Sequence, residues 1–228
     1  MSSGTPGMVR LLLLPLVATL VIYPFMARLI LRGRHGRAAA VVLLWAALLS
    51  GLVIAYAARH PGTAGGLILG GPAYRDEMFG FLRSGVGREG DPRAFVPQHL
   101  LHLGLFVILS VASAGFLGLA LGAILVGYMS YYVGALAAAG GGCARAFLLG
   151  WPPYALLRVT GYVLLGVALA RPLLFAAARR PRAPFVRWRA WYAFAGALLL
   201  ADLLLKSLLA PAWADLLAPC LPAGLPHP

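Results

Sequence analysis

The chain has 228 residues, 61% of them hydrophobic and only 11% charged, with a mean hydropathy of +0.87. A water-soluble domain carries about 25% charged residues, and one of this length has too little interior to hide so much apolar surface, which excludes a soluble globule and makes lipid the solvent. The net charge of +13 rests on 18 Arg and one Lys; these fall between apolar runs and not in one water-exposed patch, which also excludes a nucleic-acid-binding role.

Residues 11–31 are the first predicted span. About 20 apolar residues cross ~30 Å of hydrocarbon at ~1.5 Å per residue, and Pro15 and Pro24 are tolerated in such a helix. The run lacks the short apolar core and small-residue cleavage site of a signal peptide, so we read it as retained. Residues 38–58 are the second span, and the loop at 28–37 between them holds Arg28, Arg32, Arg34 and Arg37. A fifth span covers 154–170 and a sixth 191–209, separated by a loop at 171–189 with Arg171, Arg179, Arg180, Arg182, Arg187 and Arg189. Positive charge favours the cytoplasm, which assigns both arginine runs to that side.

Counting then constrains the remainder. Residues 59–98 become an external loop of about 40 residues, and the uncharged block from Leu100 to Gly142 must leave and return on one face. As a single helix its 43 residues would extend about 64 Å, twice the hydrocarbon thickness. Two spans, 100–120 and 122–142, joined by a tight turn around Gly115–Gly127, satisfy length and parity. The expected fold is therefore an all-α polytopic membrane protein forming one transmembrane domain. It has about six transmembrane helices, the third and fourth a tight hairpin, and both termini lie outside.

Ser110, Ala114, Gly118 and Gly122 recur at every fourth position, the small-residue spacing of a close helix–helix seam in lipid. Tyr128, Tyr131 and Tyr132 fit either an aromatic belt or a polar face toward the bundle. In the external loop, Tyr74–Leu82 reads as a short amphipathic helix, with Asp76 and Glu77 in its first turn offsetting the helix dipole. "GREGDPR" reads as a turn of alternating charge. Cys143 and Cys220 share a face by the same count, but their sequence context argues against a disulfide.

Two groups carry candidate chemistry. His99 and His102, at i and i+3, project from one face near the outer end of the third span. They suit headgroup anchoring, a proton-linked or anion-contacting role, or, with Glu77 as third ligand or base, a catalytic zinc. Arg158, Asp202 and Lys206 lie inside predicted spans, where lone charges are costly and are expected to face inward and pair. Asp202 and Lys206, at i and i+4, are expected partners, with Lys206 also able to snorkel outward. Asp76, Glu77, His99, His102, Arg158, Asp202 and Lys206 are thus the candidate ligand or partner contacts.

The leading expectation is a non-enzymatic component of a bacterial inner membrane, either a subunit of a larger membrane assembly or a small transporter. Its partners would be the bilayer and other membrane subunits or copies of itself. The rival is an intramembrane metal-dependent hydrolase using Glu77, His99 and His102.

Overall fold

Helix ends fall where the backbone supplies a break. Gly33 and Gly85 adopt left-handed conformations at helix ends, which glycine tolerates without steric cost. The computed structural model describes residues 5–179 and 188–222, so Arg180, Arg182 and Arg187 of the second arginine run lie outside the described residues. Among the described residues the helices are α1 (Thr5–Leu31), α2 (His35–Arg59), α3 (Pro61–Ala64), α4 (Gly71–Ser84), α5 (Pro92–Ala112), α6 (Phe116–Ala139), α7 (Ala144–Leu149), α8 (Pro153–Ala177) and α9 (Arg189–Leu217), with a 3₁₀ turn at Ala218–Cys220 and no strand. Six stretches are long and apolar enough to cross a membrane, and they include all of the longer helices α1, α2, α5, α6, α8 and α9.

The helices begin and end away from several expected boundaries. Helix α5 starts at Pro92 because Asp91 caps it, accepting a hydrogen bond from Arg93 N–H at 2.9 Å, while Pro92 fills the first helical position, where an N–H has no partner anyway. The turn into α6 is Ser113–Gly115, with Ala114 and Gly115 both at positive φ. Gly115 has no room for a side chain: a Cβ there would meet Ala170 Cβ at 2.8 Å. Helix α4 starts at Gly71, so Asp76 and Glu77 sit in its second turn and do not cap it, contrary to expectation.

Helix α6 runs through the middle, with buried residues along most of its length from Gly118 to Ala137. Its closest approach is to α2. A Cβ at Gly134 would lie 2.6 Å from the Ile54 carbonyl oxygen and 2.7 Å from Ala57 Cβ, and Ser130 donates to Ser50 Oγ at 2.8 Å. The small-residue seam of the bundle is therefore Ser130 and Gly134 against Ser50, Ile54 and Ala57. The row Ser110–Ala114–Gly118–Gly122 is not one helix face, because the turn interrupts it. Ser110 instead faces Gly118 across the turn, and Gly122 meets open space.

The two ends of the bundle differ. At one end α4 lies on α6 and α9, burying Met78, Phe81 and Leu82 against Tyr132, Leu136, Ala214 and Leu217. Each such side chain contributes about 1.5–3 kcal/mol through the area it removes from water. The Cys143–Cys220 disulfide closes this end, its Cα atoms 5.7 Å apart. That overturns the expectation from local sequence, because the pairing depends on α9 returning to the C-terminal end of α6 across 77 residues. At the other end Met26, Ile30, Ala38, Val42, Leu119, Val167 and Ala170 form a second core, next to the α1–α2 turn and the C-terminal part of α8.

Candidate functional site

The glycine-rich loop after α4 shapes the site. Gly87 and Gly90 fold over the Phe81 ring, where a Cβ on Gly90 would lie 2.8 Å from a ring carbon. Ser84 Oγ accepts the Val86 N–H at 3.1 Å and helps turn the chain. The close wrap carries Glu89 inward to Lys206, their Oε2 and Nζ atoms 2.6 Å apart, with Lys206 fully buried. Lys206 Nζ also sits 4.5 Å above the Phe95 ring, a cation–π contact strengthened by desolvation.

A second ion pair lies one helical turn away. Arg158 Nε and Nη2 donate to the two carboxylate oxygens of Asp202 at 2.8 and 2.9 Å. This is the bidentate geometry in which a guanidinium satisfies both oxygens at once. Asp202 is 1% exposed, and such a charge persists in a low-dielectric interior only when paired. The Arg158–Asp202 pairing agrees with the inward-facing charges expected from the sequence. The Asp202–Lys206 pairing does not, because each residue has a better partner. Nor does Lys206 snorkel to a surface. Glu89 went unrecognised in the sequence, although two cations and one acid within spans implied that a second counter-ion had to come from outside them.

His99 joins this network. Its Nδ1 lies 2.8 Å from the Phe95 carbonyl oxygen, which only an N–H can satisfy, so in the neutral ring Nε2 carries the lone pair. Nε2 is buried without a hydrogen-bond partner, 3.8 Å from Asp202 Oδ2. A proton taken up at Nε2 would therefore sit beside a carboxylate. The charges of Arg158, Asp202, Lys206 and Glu89 cancel, so the resting network is neutral.

His99, His102 and Arg158 line a cavity of about 70 Å³ among α2, α5, α6 and α8, with Tyr128 and Tyr162 also in its wall. That is room for a handful of water-sized groups. The rest of the lining is apolar, including Trp45, Phe106 and Leu119. A larger groove between α2 and α8, about 350 Å³, shares Ala46, Val126 and Val159 with the cavity wall.

The remaining candidates lie elsewhere. Asp76 pairs with Arg75 at 2.7 Å and is exposed. Glu77 faces Arg88 at 3.7 Å. The proposed set of His99, His102 and Glu77 is not assembled, and among the described residues no group of three or more His, Cys, Asp or Glu side chains is placed to hold a metal. The catalytic role for Glu77 and the zinc site lose their geometric basis, because α4 turns Glu77 toward the loop. Tyr131 and Tyr132 are buried and form no aromatic belt; Arg75 Nη1 donates to Tyr131 Oη at 3.2 Å. The Tyr74 ring lies 4.6 Å from that of Tyr128 in a tilted arrangement, and burial pushes its phenol well above the ordinary value, so it stays neutral.

Fold and site together define an all-helical protein with six helices of membrane-spanning length and apolarity around a buried charge network. Comparison with family models, curated proteins and solved structures finds no match to this chain.

Proposed function

We propose that this chain is a multi-pass integral membrane protein that acts without enzymatic chemistry, as a small transporter or as a ligand-binding subunit of a larger membrane assembly. The observation that carries this reading is the cavity beside the Arg158–Asp202 pair, apolar over most of its wall and polar where His99, His102, Tyr128 and Tyr162 meet it. Clefts between bundle helices with a few convergent polar groups are the common form of small-molecule sites. The ligand chemistry that fits is an amphiphile with one uncharged or weakly charged polar group, since the four fixed charges already cancel. The groove between α2 and α8 offers a lateral path from the lipid.

Topology follows the same reading. The α5–α6 pair crosses twice, the arginine-rich end faces the cytoplasm, and the disulfide end faces an oxidising compartment outside it. Two independent rules support this orientation: positive charge stays on the cytoplasmic side, and disulfides persist in oxidising surroundings.

Native mass spectrometry of the chain released from its membrane in mild detergent tests the proposal. A retained small molecule that disappears in Gly122→Leu, which fills the cavity, supports it. Bare chain in both proteins, with no added mass and no partner subunit, overturns it. A partner subunit retained equally by both proteins would remove the cavity from the reading and leave assembly alone.

A further inference from the structure

The acidic residues are absent from both arginine-rich runs of this chain. The runs 28–37 and 171–189 together hold ten Arg and no acid, and all six carboxylates (Asp76, Glu77, Glu89, Asp91, Asp202 and Asp215) lie in other segments. The arginine-rich end therefore has no counter-ion from the sequence segments that build it.

One of these arginines is drawn into the protein. Arg171 is 7% exposed, and its guanidinium lies 4.3 Å from the Phe175 ring centroid and 4.7 Å from that of Trp188. The Trp188 ring in turn meets His35 edge-on at 4.3 Å. Aromatic faces attract the cation but accept no strong N–H hydrogen bond. Arg171 Nε, His35 Nε2 and Trp188 Nε1 are all buried and all without a hydrogen-bond partner. Buried polar atoms are nearly always bonded, so three orphans in one cluster call for an absent acceptor. The 25-residue helix α2 also begins at His35, with no side-chain cap and no acid in its first turn. The positive dipole end of α2 therefore lies at the residue whose ring meets Trp188.

We propose that Arg171, His35 and Trp188 form a binding site for the phosphate of an anionic glycerophospholipid at the arginine-rich end of the bundle. The phosphate oxygens accept from the guanidinium, the indole N–H and the first turn of α2, and from His35 Nε2 once the anion has drawn a proton onto that ring. A tetrahedral anion with several acceptor oxygens matches donors converging from α2, α8 and the start of α9. Tryptophans belong at headgroup depth, and basic pockets between membrane helices at the cytoplasmic side hold anionic headgroups. This site lies apart from the His99 cavity and does not depend on it.

The test uses the full chain in detergent with dioleoyl phosphatidylglycerol, dioleoyl phosphatidylcholine or inorganic phosphate, reading lipid retention by native mass spectrometry and the shift in thermal unfolding. Phosphatidylglycerol should be retained about tenfold more strongly than phosphatidylcholine, because both offer the phosphate but the choline cation is repelled by the arginines that lack a counter-ion at this end. Arg171→Gln should bring the two lipids close to parity. Trp188→Phe keeps the ring and removes only the N–H; it should lower phosphatidylglycerol retention severalfold in a folded protein, and it carries the test if Arg171→Gln fails to fold. Equal retention of both lipids by the unaltered chain would overturn the proposal. So would phosphatidylglycerol retention unchanged by Trp188→Phe, or millimolar inorganic phosphate reproducing the stabilisation without lipid, which would mark a soluble-anion site.

Discussion

Arg158 and Asp202 form a bidentate pair: two guanidinium N–H groups reach two carboxylate oxygens at 2.8 and 2.9 Å, joining α8 to α9 inside the bundle. Removing one partner leaves the other charged and buried, which costs about 3 kcal/mol or more. Asp202→Asn should therefore lower the thermal midpoint of the detergent-solubilised protein strongly. The double variant Arg158→Leu/Asp202→Leu should recover most of the loss, because it removes the uncompensated charge as well as the attraction. Simple additivity of Arg158→Leu and Asp202→Leu would mean that the two residues do not act as a pair.

Glu89 and Glu77 make a matched comparison. Both are acids paired with a cation, but the partner of Glu89 is the buried Lys206, whereas Arg88, facing Glu77 of α4, is 65% exposed. Glu89→Gln should cost about 2 kcal/mol or more by stranding Lys206. Glu77→Gln should cost no more than about 0.5 kcal/mol, as exposed pairs do. Urea or thermal unfolding of both variants reads the difference; equal losses would mean that Lys206 does not depend on Glu89.

Much of this was legible in the sequence. Hydropathy and length identified the six long apolar helices, and the cost of lone charges in lipid predicted that Arg158 and Asp202 would face inward. What could not be read was which charges meet. Lys206 is one turn from Asp202 in sequence, yet it pairs with Glu89 because Gly87 and Gly90 let a loop fold against Phe81. The expected small-residue seam is present where Ser110 and Gly118 meet across the α5–α6 turn, but it does not extend to Gly122, which faces open space, a difference residue spacing cannot reveal.

Two glycines of α6 should respond oppositely to alanine. Gly122 lines the cavity and a Cβ there meets nothing, so Gly122→Ala should stabilise by about 0.5–1 kcal/mol through the smaller backbone entropy lost on folding. Gly134 has the Ile54 carbonyl 2.6 Å from where its Cβ would be, so Gly134→Ala should force α2 and α6 apart at a cost of about 2 kcal/mol. Thermal unfolding of the two variants decides; a loss from Gly122→Ala would show that the space beside it is already filled.

The Cys143–Cys220 bridge closes a loop of 77 residues in sequence separation. The chain-entropy relation puts its contribution at up to about 4.5 kcal/mol. Reduction, or Cys143→Ser, should lower the thermal midpoint, and alkylation of the unreduced, denatured chain should find no free thiol. Two free thiols in freshly isolated protein would contradict the bridge.

Sidedness underlies the proposed topology, the proposed oxidising surroundings of the disulfide and the proposed cytoplasmic lipid site alike. It is read most directly by cysteine labelling in intact cells, since both native cysteines are bonded to each other. Val86, 78% exposed in the loop that carries Glu89, and Arg32, exposed in the turn between α1 and α2, are suitable positions. An impermeant maleimide should label Val86→Cys in intact cells and Arg32→Cys only after permeabilisation. Labelling of Arg32→Cys in intact cells, with Val86→Cys protected until lysis, would invert the bundle and contradict the assignment of the arginine-rich end to the cytoplasm.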